Sequence, residues 1–166
     1  MMSLLLLVLA TSTAWAKAPV CDWQGDGKGG KEHQHIIVGY WREVTITLWR
    51  SEGGVAPVEI GIRATGALAA PLTAPIEIFL SNGTSLQVTP ASPASGRVAV
   101  SGTGATTFYD VKTSLDTPSL TALADGGGVS HLHFLLPSGD YELPVPRHRR
   151  TELNTAALCV LQSVQK

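Results

Sequence analysis

The chain has 166 residues, with 13 acidic and 12 basic side chains, 17 glycines and 10 prolines. Its size admits one ordinary domain, and its near-balanced charge lacks the basic excess of a dedicated nucleic-acid binder. Frequent Gly, Pro, Ser, Thr and Val favour short strands and turns over long helices. After Leu9 no apolar run reaches the roughly 20 residues of a membrane helix, so no transmembrane segment is expected in the mature chain.

The amino terminus reads as an export signal. Leu4 to Leu9 is an unbroken apolar run, and Ala14-Trp15-Ala16 follows as a small-x-small cleavage motif. Residues 1–16 are therefore expected to be a cleaved signal peptide. Residues 17–34 then form a flexible N-terminal segment, and residues 35–166 a single β-rich domain. Export implies a periplasmic or secreted protein in an oxidising compartment. The chain's two cysteines, Cys21 and Cys159, are accordingly expected to form one disulfide. Closing so long a loop is worth about 4–5 kcal/mol by chain entropy. Lipidation of Cys21 is the rival reading, but Val20 stands where a lipobox needs a small residue.

Asp22 to Lys31 is rich in Gly and charge and reads as a loop. His35 to Trp41 reads as a strand. Val44, Ile46 and Leu48 then alternate with Thr45, Thr47 and Trp49. Beyond the turn Ser51-Glu52-Gly53-Gly54, Val58, Ile60 and Ile62 alternate in turn, which predicts a hairpin. A second hairpin has a readable register. A three-residue loop, Ser81 to Gly83, pairs Ile76 with Val88 and Ile78 with Leu86 on one face, with Gly83 in the left-handed position. Asn82-Gly83-Thr84 in that loop is a glycosylation sequon, relevant only in a host that glycosylates exported proteins.

Arg97 to Val100 and Thr106 to Lys112 read as two further strands. Asp116-Thr117-Pro118 has the cap and early proline of a helix start, and Gly126-Gly127-Gly128 ends that short helix. Val129 to Leu136 and Tyr141 to Val145 read as a hairpin across a four-residue turn, Pro137 to Asp140. In that register Leu136, Phe134 and Leu132 oppose Tyr141, Leu143 and Val145 on an apolar face. Thr151 to Val164 reads as a terminal helix with Leu153, Ala156, Ala157, Val160 and Val164 along one stripe. The fold class expected is mainly β: an antiparallel sandwich or bent sheet with one short helix and one C-terminal helix.

Four of the five histidines form two His-x-His pairs, His33/His35 and His131/His133. Residues two apart on a strand share a face, so each pair can present two imidazoles together. In the register above, His131 and His133 oppose Pro146 and Pro144, with Glu142 diagonal to His133. Two imidazoles and a carboxylate suit Zn²⁺ or Cu²⁺. The competing reading is the ordinary polar face of a half-buried strand. Pro144 and Pro146 mark an edge strand, because neither offers an N–H for further pairing. Arg147-His148-Arg149-Arg150 is the one dense basic cluster, read as a solvated loop or an anion-facing surface.

Signs of catalysis are poor. There is no Gly-x-Ser-x-Gly elbow, and neither Gly25-Asp26-Gly27 nor Gly102-Thr103-Gly104 completes a phosphate or dinucleotide fingerprint. No cofactor is expected beyond a Zn or Cu ion at His131, His133 and Glu142. The function expected is a periplasmic or secreted, non-catalytic binding or structural module whose partner is a protein or cell-envelope component. The alternatives are a Zn/Cu-binding protein using His131 and His133, and a hydrolase whose site assembles only in three dimensions. Trp41 and Trp49 are candidate members of an exposed binding patch.

Overall fold

The structure is a computed structural model that describes residues 21–25, 32–38, 43–50, 53–68, 70–102 and 104–164. Residues 1–16, expected to be a signal peptide, lie outside them, as do Trp41 and most of the charged Gly-rich stretch. Ten strands and two helices follow one another along the described chain. They are β1 (Gln24–Gly25), β2 (Glu32–Val38), β3 (Val44–Trp49), β4 (Val55–Thr65), β5 (Ile76–Leu80), β6 (Ser85–Val88), β7 (Arg97–Ser101), β8 (Gly104–Asp116), α1 (Thr117–Asp125), β9 (Val129–Leu136), β10 (Gly139–Pro144) and α2 (Glu152–Val164). All pairings are antiparallel. One six-stranded sheet has the order β1-β2-β3-β4-β8-β7, and one four-stranded sheet has the order β10-β9-β5-β6. The chain is thus mainly β with one short and one C-terminal helix, as its alternation and helix signals predict.

The alternating residues supply the core. Val44, Ile46 and Leu48 of β3 lie opposite Ile62, Ile60 and Val58 of β4, and all six are buried. On the four-stranded sheet Ile76 pairs with Val88 and Ile78 with Leu86 across the three-residue loop, with Gly83 at φ 87°. That is the register expected, and Leu86 is half-buried where the other three are buried. The polar groups inside are satisfied. Buried Thr107 donates its hydroxyl to the Gly66 carbonyl (2.7 Å) and accepts from the Leu68 amide (2.9 Å). Buried Tyr109 donates to the Ala70 carbonyl at 3.2 Å, and burial pushes its phenol above the ordinary value.

Helix α1 starts where its cap residue stands. Asp116 accepts the Ser119 amide at 2.9 Å, and hydrogen bonding from the Ser119 side chain, with that amide second, holds its carboxyl below the usual value. Leu120, Leu123 and Ala124 of α1 pack with Leu153, Ala156, Ala157 and Val160 of α2, and α2 also lies against β2 and β3. Cys159 of α2 is bonded to Cys21, with Cα atoms 5.6 Å apart and a separation of 138 residues. The first described residues are thereby clamped to the last helix.

Several boundaries differ from the sequence reading. Gln24–Gly25 pairs with Glu32–His33, so short strand structure exists inside the Gly-rich stretch. Strand β2 includes Glu32 to Gln34 as well as the residues that follow. Strand β4 starts three residues before Val58, through Pro57. A proline fits there because pairing with β3 stops at Leu48↔Val58, so one side of β4 needs no N–H at Pro57.

The largest correction concerns β9 and β10. Gly139 pairs with Leu136, so the connecting loop is Pro137–Ser138 alone. Gly139 takes φ 124°, which lets β10 start two residues earlier than turn-forming residue types suggest. Phe134 therefore opposes Tyr141, Leu132 opposes Leu143, His133 opposes Glu142 and His131 opposes Pro144. A shift of two keeps every residue on its expected face. Leu132, Phe134 and Leu143 are buried. Tyr141 stacks on Phe134 at 5.1 Å but is 41% exposed at the sheet edge, where an inward position was expected. Val145 has left the strand, and its amide donates to the Ser130 carbonyl. Strand β10 is an edge strand, as Pro144 and Pro146 imply.

Phe134→Ala should lower the unfolding free energy by about 3–5 kcal/mol, measured by reversible chemical denaturation. A loss under about 1 kcal/mol would show that this ring does not fill the core between β9 and the six-stranded sheet.

Candidate functional site

The outward positions of β5, β6, β9 and β10 bring the expected histidines together with unexpected partners. Glu142, His133, Glu77 and Gln87 lie in one row across the four-stranded sheet, and Pro144, His131, Phe79 and Ser85 in the next. His133 sits between two carboxylates, with Nδ1 3.4 Å from Glu77 Oε2 and Nε2 3.4 Å from Asp140 Oδ1. Gln87 donates to the other oxygen of Glu77 at 2.9 Å. Glu142 stands directly opposite His133, yet its carboxylate reaches along the face to His131 Nε2, at 3.7 Å. His131 stacks on Phe79 with centroids 4.2 Å apart. Glu77 and Asp140 escaped the sequence reading. Glu77 comes from a strand 50-odd positions away in sequence, and Asp140 is a turn-forming residue type that the structure places in β10.

The donors pair off and do not converge. Among the described residues His131 faces Glu142 alone, His133 has Glu77 and Asp140 at its two ring nitrogens, and no group of three or more His, Cys, Asp or Glu is placed to hold a metal ion. The other pair lies elsewhere: β2 carries His33 and His35 in the six-stranded sheet, paired in register with Trp49 and Thr47. The side chains of His33 and His35 lie outside the described residues.

Ser130 has the contacts of a nucleophile without its freedom. Its hydroxyl is 3.1 Å from His131 Nδ1, and it donates to the Phe79 carbonyl, also at 3.1 Å. The proton a base would remove is thus held by a backbone acceptor, and Ser130 lines neither of the surface depressions described next.

Those depressions form one trough on the open face of the six-stranded sheet. Thr45, Gly61 and Asp110 lie side by side on β3, β4 and β8. A Cβ at Gly61 would stand 2.6 Å from Thr45 Oγ1, so the row has a gap in its middle that other side chains cannot fill without moving Thr45. One arm, of about 370 Å³, runs past Thr47, Glu59 and Lys112. The other, of about 280 Å³, runs past Arg63, Arg97 and Phe108. Lys112 and Glu59 are paired at 3.8 Å, and the Arg97 guanidinium lies over the Phe108 ring, 5.8 Å from its centroid. The interior glycine of an otherwise alternating strand was the available sequence signal for this feature.

The basic cluster is partly spent on structure. Arg147–Arg149 is a single turn of 3₁₀ helix. Arg150 donates Nε to the Val145 carbonyl, and its own carbonyl accepts the Val129 amide. Comparisons with protein-family models, with curated proteins and with solved structures found no match.

Replacing both His131 and His133 by Ala should change stability by less than about 1 kcal/mol, since both rings lie half-exposed on the outer face of the sheet, where polar contacts contribute little. Zn²⁺ should shift the melting temperature of this variant and of the wild type alike. A Zn²⁺-dependent rise seen only in the wild type would show that the two rings bind metal after local rearrangement.

Proposed function

We propose that this chain is an exported, non-catalytic binding module that receives a polar ligand in the trough on its six-stranded sheet. The carrying observation is the gap at Gly61, flanked by hydroxyls, both signs of charge and the Phe108 ring. A ligand pocket usually occupies roughly 300–1,000 Å³ and fixes its ligand with a few placed polar groups. Both arms of the trough are near the lower end of that range, which suits a ligand of sugar or dipeptide size.

The lining is mixed in charge. Glu59 and Asp110 face Lys112, Arg63 and Arg97, which favours a neutral or zwitterionic ligand over a strongly charged one. Apart from Arg97 on the edge strand β7, the lining sits on the central strands β3, β4 and β8, so the side chains are held by a sheet and not by loops. Export is supported by Leu4 to Leu9, by Ala14-Trp15-Ala16 and by the Cys21–Cys159 bond, which belongs in an oxidising space. No helix of the described residues is long and apolar enough to cross a membrane.

Protein-observed NMR with a panel of neutral disaccharides and zwitterionic dipeptides tests this. Binding should move the amides of Thr45, Gly61 and Asp110, and Asp110→Ala with Arg63→Ala should weaken it tenfold or more. Shifts confined to the His131/His133 face, or none across the panel, would contradict the assignment.

A further inference from the structure

The four sheet edges are protected unequally. β10 carries Pro144 and is followed by Pro146, β1 has only two residues, and β6 has only four. Such devices blunt an edge against strand addition. β7 has none of them. Its five residues, Arg97-Val98-Ala99-Val100-Ser101, contain no proline and one charge, and all are exposed. Val98 is 43% and Val100 77% exposed, two of the five large apolar side chains left open among the described residues.

The backbone of β7 is also half-used. It pairs with β8 from Arg97↔Phe108 to Ser101↔Gly104. Two residues separate Ser101 from Gly104, the spacing of a two-residue hairpin loop, whose closing residues form a hydrogen-bonded pair. Alternation then commits the N–H and C=O groups of Ser101, Ala99 and Arg97 to β8 and turns those of Val98 and Val100 outward. Among the described residues no backbone hydrogen bond from another element meets that outer edge.

From this we propose that β7 is the self-association edge of the protein, and that its occupant is β7 of a second copy, added antiparallel about a two-fold axis through Ala99. The sequence of the strand is self-complementary in this register. Val98 falls opposite Val100 of the second copy, and these are the residues whose free backbone groups point outward. Ala99 meets its own counterpart. Arg97 falls opposite Ser101 of the second copy, so no like charges face each other. Val98 and Val100 project on the face that carries buried Thr107. The four valines of the two copies therefore make one apolar patch, and the two six-stranded sheets join into one continuous sheet. The interface is isologous and closed, which limits assembly to a dimer.

Sedimentation equilibrium of the disulfide-bonded chain, from micromolar to millimolar concentration, tests this. The wild type should reach twice the monomer mass. Val100→Pro removes an outward N–H without removing a β8 ladder bond, and Val98→Lys/Val100→Lys sets charges against each other. Each should raise the dimer dissociation constant tenfold or more, while circular dichroism and melting temperature stay near wild type. Should the proline variant fail to fold, the lysine pair decides alone. A wild type that is monomeric throughout, or a dimer that survives the lysine pair unchanged, would overturn the proposal.

Discussion

The pairing of β4 with β8 is the constraint on which the other features rest. It runs the whole length of β4, from Val55↔Asp116 to Thr65↔Thr106, and β3 flanks the other side of β4 from Val58 to Ile62. Because side chains alternate, this one register settles both faces at once. Ala56, Val58, Ile60, Ile62 and Ala64 enter the core, while Glu59, Gly61 and Arg63 line the trough or its rim. A slip by one residue would drive Glu59 and Arg63 inward against Tyr109 and Val111, and would expose three large aliphatic side chains. The core and the proposed ligand surface are thus two faces of the same periodicity.

Much of this was legible where the signal is local. The β3–β4 and β5–β6 hairpins follow from alternation plus turn residues, and in the second the three-residue loop Ser81 to Gly83 sets the register. The β9–β10 hairpin shows the limit. Alternation determines which face Phe134 and His133 take, but it is indifferent to a shift of two. The two-residue loop Pro137–Ser138, with Gly139 at positive φ, goes with the observed offset, in which Glu142 stands opposite His133 and not diagonal to it. Pro57 lies inside β4, at a position where β4 has no β3 neighbour.

The sites were less legible because they are made by non-local neighbours. That His131 and His133 share a face follows from their spacing. That Glu77 reaches one of them depends on β5 lying beside β9, which no local pattern encodes. The trough needs three strands, two of them joined only by the long course of the chain from β4 to β8. Gly61 was its single trace. The disulfide was legible for a different reason, since a chain with two cysteines leaves each of them one intramolecular partner. Its place in the fold gives it a use: α2 is the last element, packed on α1 and beside β2 and β3, and the bond holds that closing helix to the start of the described chain.

Native-state hydrogen exchange of β4 and β8 tests the central claim most directly. Amides hydrogen-bonded in the middle of a sheet that the whole fold depends on should open only when the molecule unfolds. The protected amides among Ile60, Ile62, Tyr109 and Val111 should therefore exchange with the free energy of global unfolding, while β7 and β10 exchange faster. If β4 or β8 opened at markedly lower free energy than the rest of the six-stranded sheet, the pairing of these two strands would not be what organises the fold.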